Sequence, residues 1–107
     1  MRLTDLHPRW IASGGEGVTD ADGRPVPRRE GIGVSFDCPC STCGLLCFVP
    51  FDNPLDGGPP ITPDHALWTR TGEDFDHLSL TPSILRNRER DGCGWHGYVT
   101  DGEVITI

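Results

Sequence analysis

Short stretches in which apolar and polar residues alternate with a period of two run through this chain, separated by breaks rich in Gly and Pro. Such alternation marks strands with one buried face. The pattern predicts a strand over 32–37, ending at Cys38-Pro39, and a second over 45–51 that returns from the turn, so that the two make a hairpin. A short strand is expected over 66–70 with Trp68 inward. Another is expected over 77–81, where Pro82 stops it or opens a short helical turn through Ser83, Ile84 and Leu85. The clearest signal lies at the end: 95–100 and 103–107 are β-rich runs joined by Asp101-Gly102, a two-residue hairpin turn.

The intervening segments read as irregular. Residues 1–30 are expected to form an irregular N-terminal arm anchored by Trp10 and Ile11. Its Asp20-Ala21-Asp22-Gly23 run starts like a calcium loop, but the twelfth position is Gly31 where an EF-hand needs Glu, so it is taken as a turn. Residues 53–63 contain four prolines, which remove four N–H donors, and are expected to be a surface loop. Residues 86–92 form a charged loop. At 107 residues the chain fits one domain, 1–107. The fold class expected is mainly β: a small antiparallel domain with long irregular loops.

Composition narrows the partners. With 14 Gly and 10 Pro, long helices are disfavoured. No apolar run approaches the ~20 residues of a membrane span, and residues 1–20 lack the apolar core of a secretory signal. No membrane association is therefore expected, and the expected location is the cytoplasm. The formal charge is −7 and all 9 basic residues are Arg. An acidic chain repels a phosphate backbone, so general nucleic-acid binding is not expected and a protein partner is.

The cysteines change the picture most. Cys38, Cys40 and Cys43 fall within six residues, and Cys93-Gly94-Trp95-His96-Gly97 comes fifty residues later. Two residues between ligands allow a tight turn to aim both at one ion, and the Gly after the second ligand closes it with a positive φ. The candidate metal ligands are Cys38, Cys40, Cys43, Cys93 and His96, with Cys93 and His96 on one side and two of the three upstream thiols on the other. They are expected to hold one structural Zn²⁺ per chain, which makes the expected fold a small, zinc-stapled antiparallel β domain, zinc-ribbon-like. Cys47, in the apolar run Leu45-Leu46-Cys47-Phe48-Val49, is expected to be a buried small hydrophobe. A thin core gains from such a staple, whose binding energy of ~10–16 kcal/mol rivals a domain's net stability.

Several blocks also carry a family resemblance: Asp37-Cys38-Pro39-Cys40, Asn53-Pro54-Leu55-Asp56-Gly57-Gly58-Pro59-Pro60, Leu78-Ser79-Leu80-Thr81-Pro82-Ser83-Ile84, Cys93-Gly94-Trp95-His96-Gly97-Tyr98 and Asp101-Gly102-Glu103-Val104. In this order they resemble small phage and prophage proteins of unknown function, some labelled ammonia monooxygenase. They are also similar to a broader metal-binding domain family found near bacterial ubiquitin-like conjugation operons. The resemblance implies a metal-binding, phage-encoded domain, placed in the cytoplasm of a bacterial host with the virion as a further location. The monooxygenase label gains nothing from the residues, because copper oxidation sites favour several imidazoles and only His96 stands in a ligand motif. The extra residue between Cys40 and Cys43 departs from the family pattern and leaves open which two of Cys38, Cys40 and Cys43 bind.

The expected function is a non-enzymatic, structural-zinc binding module acting through protein contacts, on a host factor or within a phage assembly, with the 53–63 loop and the acidic 73–76 loop as contact surfaces. Replacing Asp56, Gly57 and Gly58 together is expected to spare folding. Two alternatives stand beside it. One is a small zinc-dependent hydrolase recruiting Asp56, His65, His77 or Ser83. The other is an acidic DNA mimic that inhibits a host defence enzyme. No Ser/His/Asp grouping with a recognisable motif is apparent, so no catalytic residue is assigned.

Overall fold

The structure is a computed structural model that describes residues 1–40, 42–61, 66–86 and 92–107. Among the described residues, seven strands come after a short 3₁₀ turn at Leu3–Leu6: β1 (Arg9–Ser13), β2 (Arg29–Asp37), β3 (Leu46–Pro50), β4 (Thr69–Thr71), β5 (Ser79–Leu85), β6 (His96–Thr100) and β7 (Glu103–Thr106). They build two antiparallel sheets, one ordered β1–β2–β3 and the other β4–β5–β6–β7. The mainly β, antiparallel class expected from the sequence is what forms. Among the described residues no helix is long and apolar enough to cross a membrane.

Alternation explains how the sheets meet. Val34 and Phe36 of β2, Cys47 and Val49 of β3, Leu80 and Ile84 of β5, Val99 of β6 and Val104 of β7 all point inward and merge into one core with Phe51, Leu78 and Trp95. Burying each such side chain stabilises the fold by roughly 1.5–3 kcal/mol. Cys47 belongs to this core, as its apolar neighbours imply.

Two elements differ from the sequence expectation. First, the arm at 1–30 is not irregular throughout. Leu3 and Leu6 are buried in the core, and β1 pairs with β2 through Arg9↔Ser35 and Trp10↔Val34. Trp10 stacks on Phe75, with ring centroids 4.4 Å apart, and meets Phe51 edge-on. The Leu3 N–H donates to the Gly102 carbonyl at 2.8 Å, and Arg2 pairs with Glu103 at 3.0 Å, which ties the first residues to the β6–β7 hairpin. The Gly-rich turn signals mark only the connection between β1 and β2, where the Asp20 carboxylate accepts from the Asp22 and Arg24 N–H groups in a local turn.

Second, β5 does not stop at Pro82, and residues 83–85 stay extended. The register runs Leu80↔Val99, then Ile84↔Gly97. Three residues, Thr81, Pro82 and Ser83, thus stand opposite Tyr98 alone, with the Thr81–Pro82 peptide cis. A bulge needs no ladder donor from its extra residues, so a strand can carry Pro there.

The 53–63 loop is irregular where it is described, as expected. Arg29 grips the Asp56 carboxylate with two donors at 2.7 and 2.9 Å, and a Cβ on Gly58 would collide with the same guanidinium. Residues 62–65, including His65, and the charged stretch 87–91 lie outside the described residues. The Asp101-Gly102 turn forms as expected, with positive φ at both positions (47° and 75°), the geometry that matches the twist of the flanking strands.

Candidate active site beside a four-cysteine cluster

The β2–β3 turn brings three thiols together and the segment entering β6 brings the fourth. The sulfurs of Cys38, Cys40, Cys43 and Cys93 all lie within 4.8 Å of one another. Cys38 Sγ and Cys93 Sγ are 3.4 Å apart, and none of the five cysteines is in a disulfide. A tetrahedron with metal–sulfur bonds of ~2.3 Å sets its sulfurs ~3.8 Å apart, so the four are close enough to hold one metal ion. The turn is built for thiolates. The Leu45 N–H donates to Cys43 Sγ at 3.5 Å and the Thr42 hydroxyl to Cys40 Sγ at 3.7 Å.

Electrostatics divides these thiols. The Thr42 N–H, followed by donors from Cys43, lowers the Cys40 thiol to about 5, whereas burial pushes the Cys38 thiol well up. Arg86 stands beside them, and its Nη1 donates to the Leu46 carbonyl. Burial alone would lower its pKa, but contact with Cys47 and the fields of Cys38 and Cys93 raise it, so the guanidinium stays charged. A fixed cation here offsets the net negative charge left when four thiolates hold one divalent ion.

His96 is not part of this group. The structure brings together Cys38, Cys40, Cys43 and Cys93, and the His96 ring does not stand among them. The cause is local. Gly94, at φ 86°, donates its N–H to the Arg86 carbonyl at 2.6 Å, and the Arg86 N–H donates to the Trp95 carbonyl at 2.8 Å. Pairing with Arg86 thus starts a strand where a ligand knuckle would curl back. Trp95 turns inward and donates Nε1–H to Thr106 Oγ1 at 3.0 Å, and His96, the next residue, turns to the opposite face.

On that face His96 meets Ser83. Its Nε2 lies 2.8 Å from Ser83 Oγ, within the 2.6–3.2 Å reach of a nucleophile and its base. The bulge makes the meeting possible. By inserting Pro82 and a neighbour opposite Tyr98, it aims Ser83 outward across the β5–β6 seam while Leu80 and Ile84 keep facing the core. Trp68 Nε1–H donates to the Ser83 carbonyl at 3.3 Å and fixes the backbone from the other side. Among the described residues, Ser83 is the one side chain hydrogen-bonded to the His96 ring, which gives a dyad rather than a triad.

Sequence reasoning named Ser83 only as a polar group to recruit and spent His96 on the metal. The usable signal was the hairpin-like pairing of 77–85 with 95–100, which puts polar residues of both strands on one exposed face. Among the described residues the other histidines do not join the dyad: His7 bonds Asp37 at 2.8 Å and His77 bonds Asp74 at 2.7 Å, both exposed.

Fold and site together define an antiparallel two-sheet domain that carries a metal-capable cysteine cluster and, next to it in sequence, a Ser–His pair. Residues 21–107 match the family model described as the bacterial ubiquitination-like system serine protease (BubE), and the chain belongs to that family. This agrees with the resemblance to domains found near ubiquitin-like operons. No curated protein and no solved structure matches the chain.

Proposed function

We propose that this protein is a serine hydrolase that cleaves a peptide or isopeptide bond within a bacterial ubiquitin-like system. Ser83 is the nucleophile and His96 the general base. His96 Nε2 takes the Ser83 hydroxyl proton as Oγ attacks the scissile carbonyl. It returns that proton to the leaving amine as the C–N bond breaks, and then activates water to release the acyl group from Oγ. The observation that carries the proposal is the 2.8 Å Ser83–His96 contact at the bulge, and the family's description as a serine protease supports it.

Cys38, Cys40, Cys43 and Cys93 hold one structural Zn²⁺ in this proposal. Four thiolates complete a tetrahedron and leave no position for water, so a zinc-dependent hydrolase is disfavoured and the ion's part is to tie the β2–β3 turn to the segment entering β6. Five thiols kept out of disulfides suit a reducing cytoplasm. The competing reading, a non-enzymatic zinc-stapled module acting through protein contacts, shares this metal and differs in leaving Ser83 inert. A fluorophosphonate probe separates them. The zinc-loaded chain should be labelled at Ser83 and Ser83→Ala should not. A wild-type chain that stays unlabelled and turns over no activated ester overturns the hydrolase.

A further inference from the structure

A cleft of about 280 Å³ opens where the edge of β3 faces the end of β5, lined by Leu46, Phe48, Trp68, Leu85 and Arg86 among others. Three large apolar side chains from two different sheets converge on it while remaining in water: Leu46 and Phe48 are each 59% exposed and Leu85 is 57% exposed. Apolar residues scattered singly need no explanation, but a convergent set at a cleft does.

Two observations join this cleft to Ser83. Trp68, in its wall, is the residue whose Nε1–H donates to the Ser83 carbonyl. Leu85 comes two residues after Ser83 on β5, with Ile84 between them facing the core, so both leave the strand on the outer face. The separation along the strand is about 6.6–6.8 Å, the repeat an extended peptide also has. A peptide with its scissile carbonyl at Ser83 therefore brings the side chain two residues away over Leu85.

The opposite wall suits an extended chain too. β3 is an edge strand. Its Leu46 and Pro50 carbonyls turn away from β2, one accepting from Arg86 and the other from the Trp68 N–H at 3.0 Å. By the two-residue period Phe48, midway between them, turns its peptide groups to the same open edge, where an added strand can pair.

We infer that the cleft between β3 and β5 holds the substrate as an extended peptide, with a large apolar side chain two residues from the scissile carbonyl seated on Phe48 and Leu85. The inference rests on Ser83 being the nucleophile and adds what selects the substrate. Quenched-fluorescence peptides varied at each position around the cleavage point test it. The wild type should prefer Leu, Met or Phe over Asp at that position by roughly tenfold or more in kcat/KM. Phe48→Ser and Leu85→Ser should flatten the preference, and Phe48→Leu should keep it. Both positions are solvent-facing, so circular dichroism and zinc content of all three variants should match the wild type. An unchanged preference in both Ser variants, or none in the wild type, overturns the inference. Failure of the wild type to take fluorophosphonate or turn over ester overturns the Ser83 proposal instead, and the cleft's role with it.

Discussion

Cys93 and His96 stand three residues apart, and exchanging each in turn should give opposite phenotypes. His96→Ala removes the 2.8 Å contact with Ser83, a half-buried hydrogen bond contributing on the order of 0.5–1.5 kcal/mol. The fold should persist and bound zinc should stay near one per chain. Turnover should fall by on the order of 10⁴-fold or more, the scale on which loss of a catalytic base acts in a serine hydrolase. Cys93→Ser removes one of four sulfurs that lie within 4.8 Å of one another. Structural zinc supplies ~10–16 kcal/mol of apparent binding energy against a net domain stability of ~5–15 kcal/mol, so losing the ion should unfold the chain. Metal content by mass spectrometry, far-ultraviolet circular dichroism and fluorophosphonate labelling, all on one preparation of each variant, decide the matter. If His96→Ala loses zinc and fold together, His96 is a ligand and the division of labour drawn above is wrong. If Cys93→Ser keeps both, the four-sulfur cluster is not the staple.

The packing and the surface charges give further outcomes. Leu80→Ala, at a position 1% exposed in the shared core, should lower the unfolding free energy by about 2–5 kcal/mol in urea titrations. Gly97→Ala would press a Cβ against the Ile105 carbonyl and the Trp95 ring, so it should destabilise by about 1–3 kcal/mol and slow Ser83 labelling through its neighbour His96. The bond to Asp74 and the field of that carboxylate raise the His77 pKa, with Asp101 and Asp76 adding to it. A raised folded-state pKa gives stabilisation that is complete below the ordinary histidine value and lost as pH climbs through the folded one. The melting-temperature gap between wild type and His77→Gln should therefore be present at about pH 6 and gone by about pH 9. A gap that widens with pH would refute the assignment.

Much of this protein was legible from residue order alone. Alternation located β2, the apolar run returning from the Cys turn located β3, β-rich runs around Asp101-Gly102 located β6, β7 and their hairpin, and the clustered thiols at 38–43 pointed to a metal-capable turn, because each of these is a local rule acting over two to eight residues. Tertiary structure decided the rest. Whether Leu3 and Leu6 lie in a loose arm or a core depends on a hairpin about a hundred residues away. Whether Pro82 ends a strand or sits in its bulge depends on what Tyr98 leaves opposite. The Cys93-x-x-His96 spacing satisfies a metal knuckle and a strand start equally well. Only the pairing of Gly94 and Trp95 with Arg86 selects the strand and turns the imidazole from the sulfurs to Ser83, since a side chain's direction is set by the partner its backbone finds.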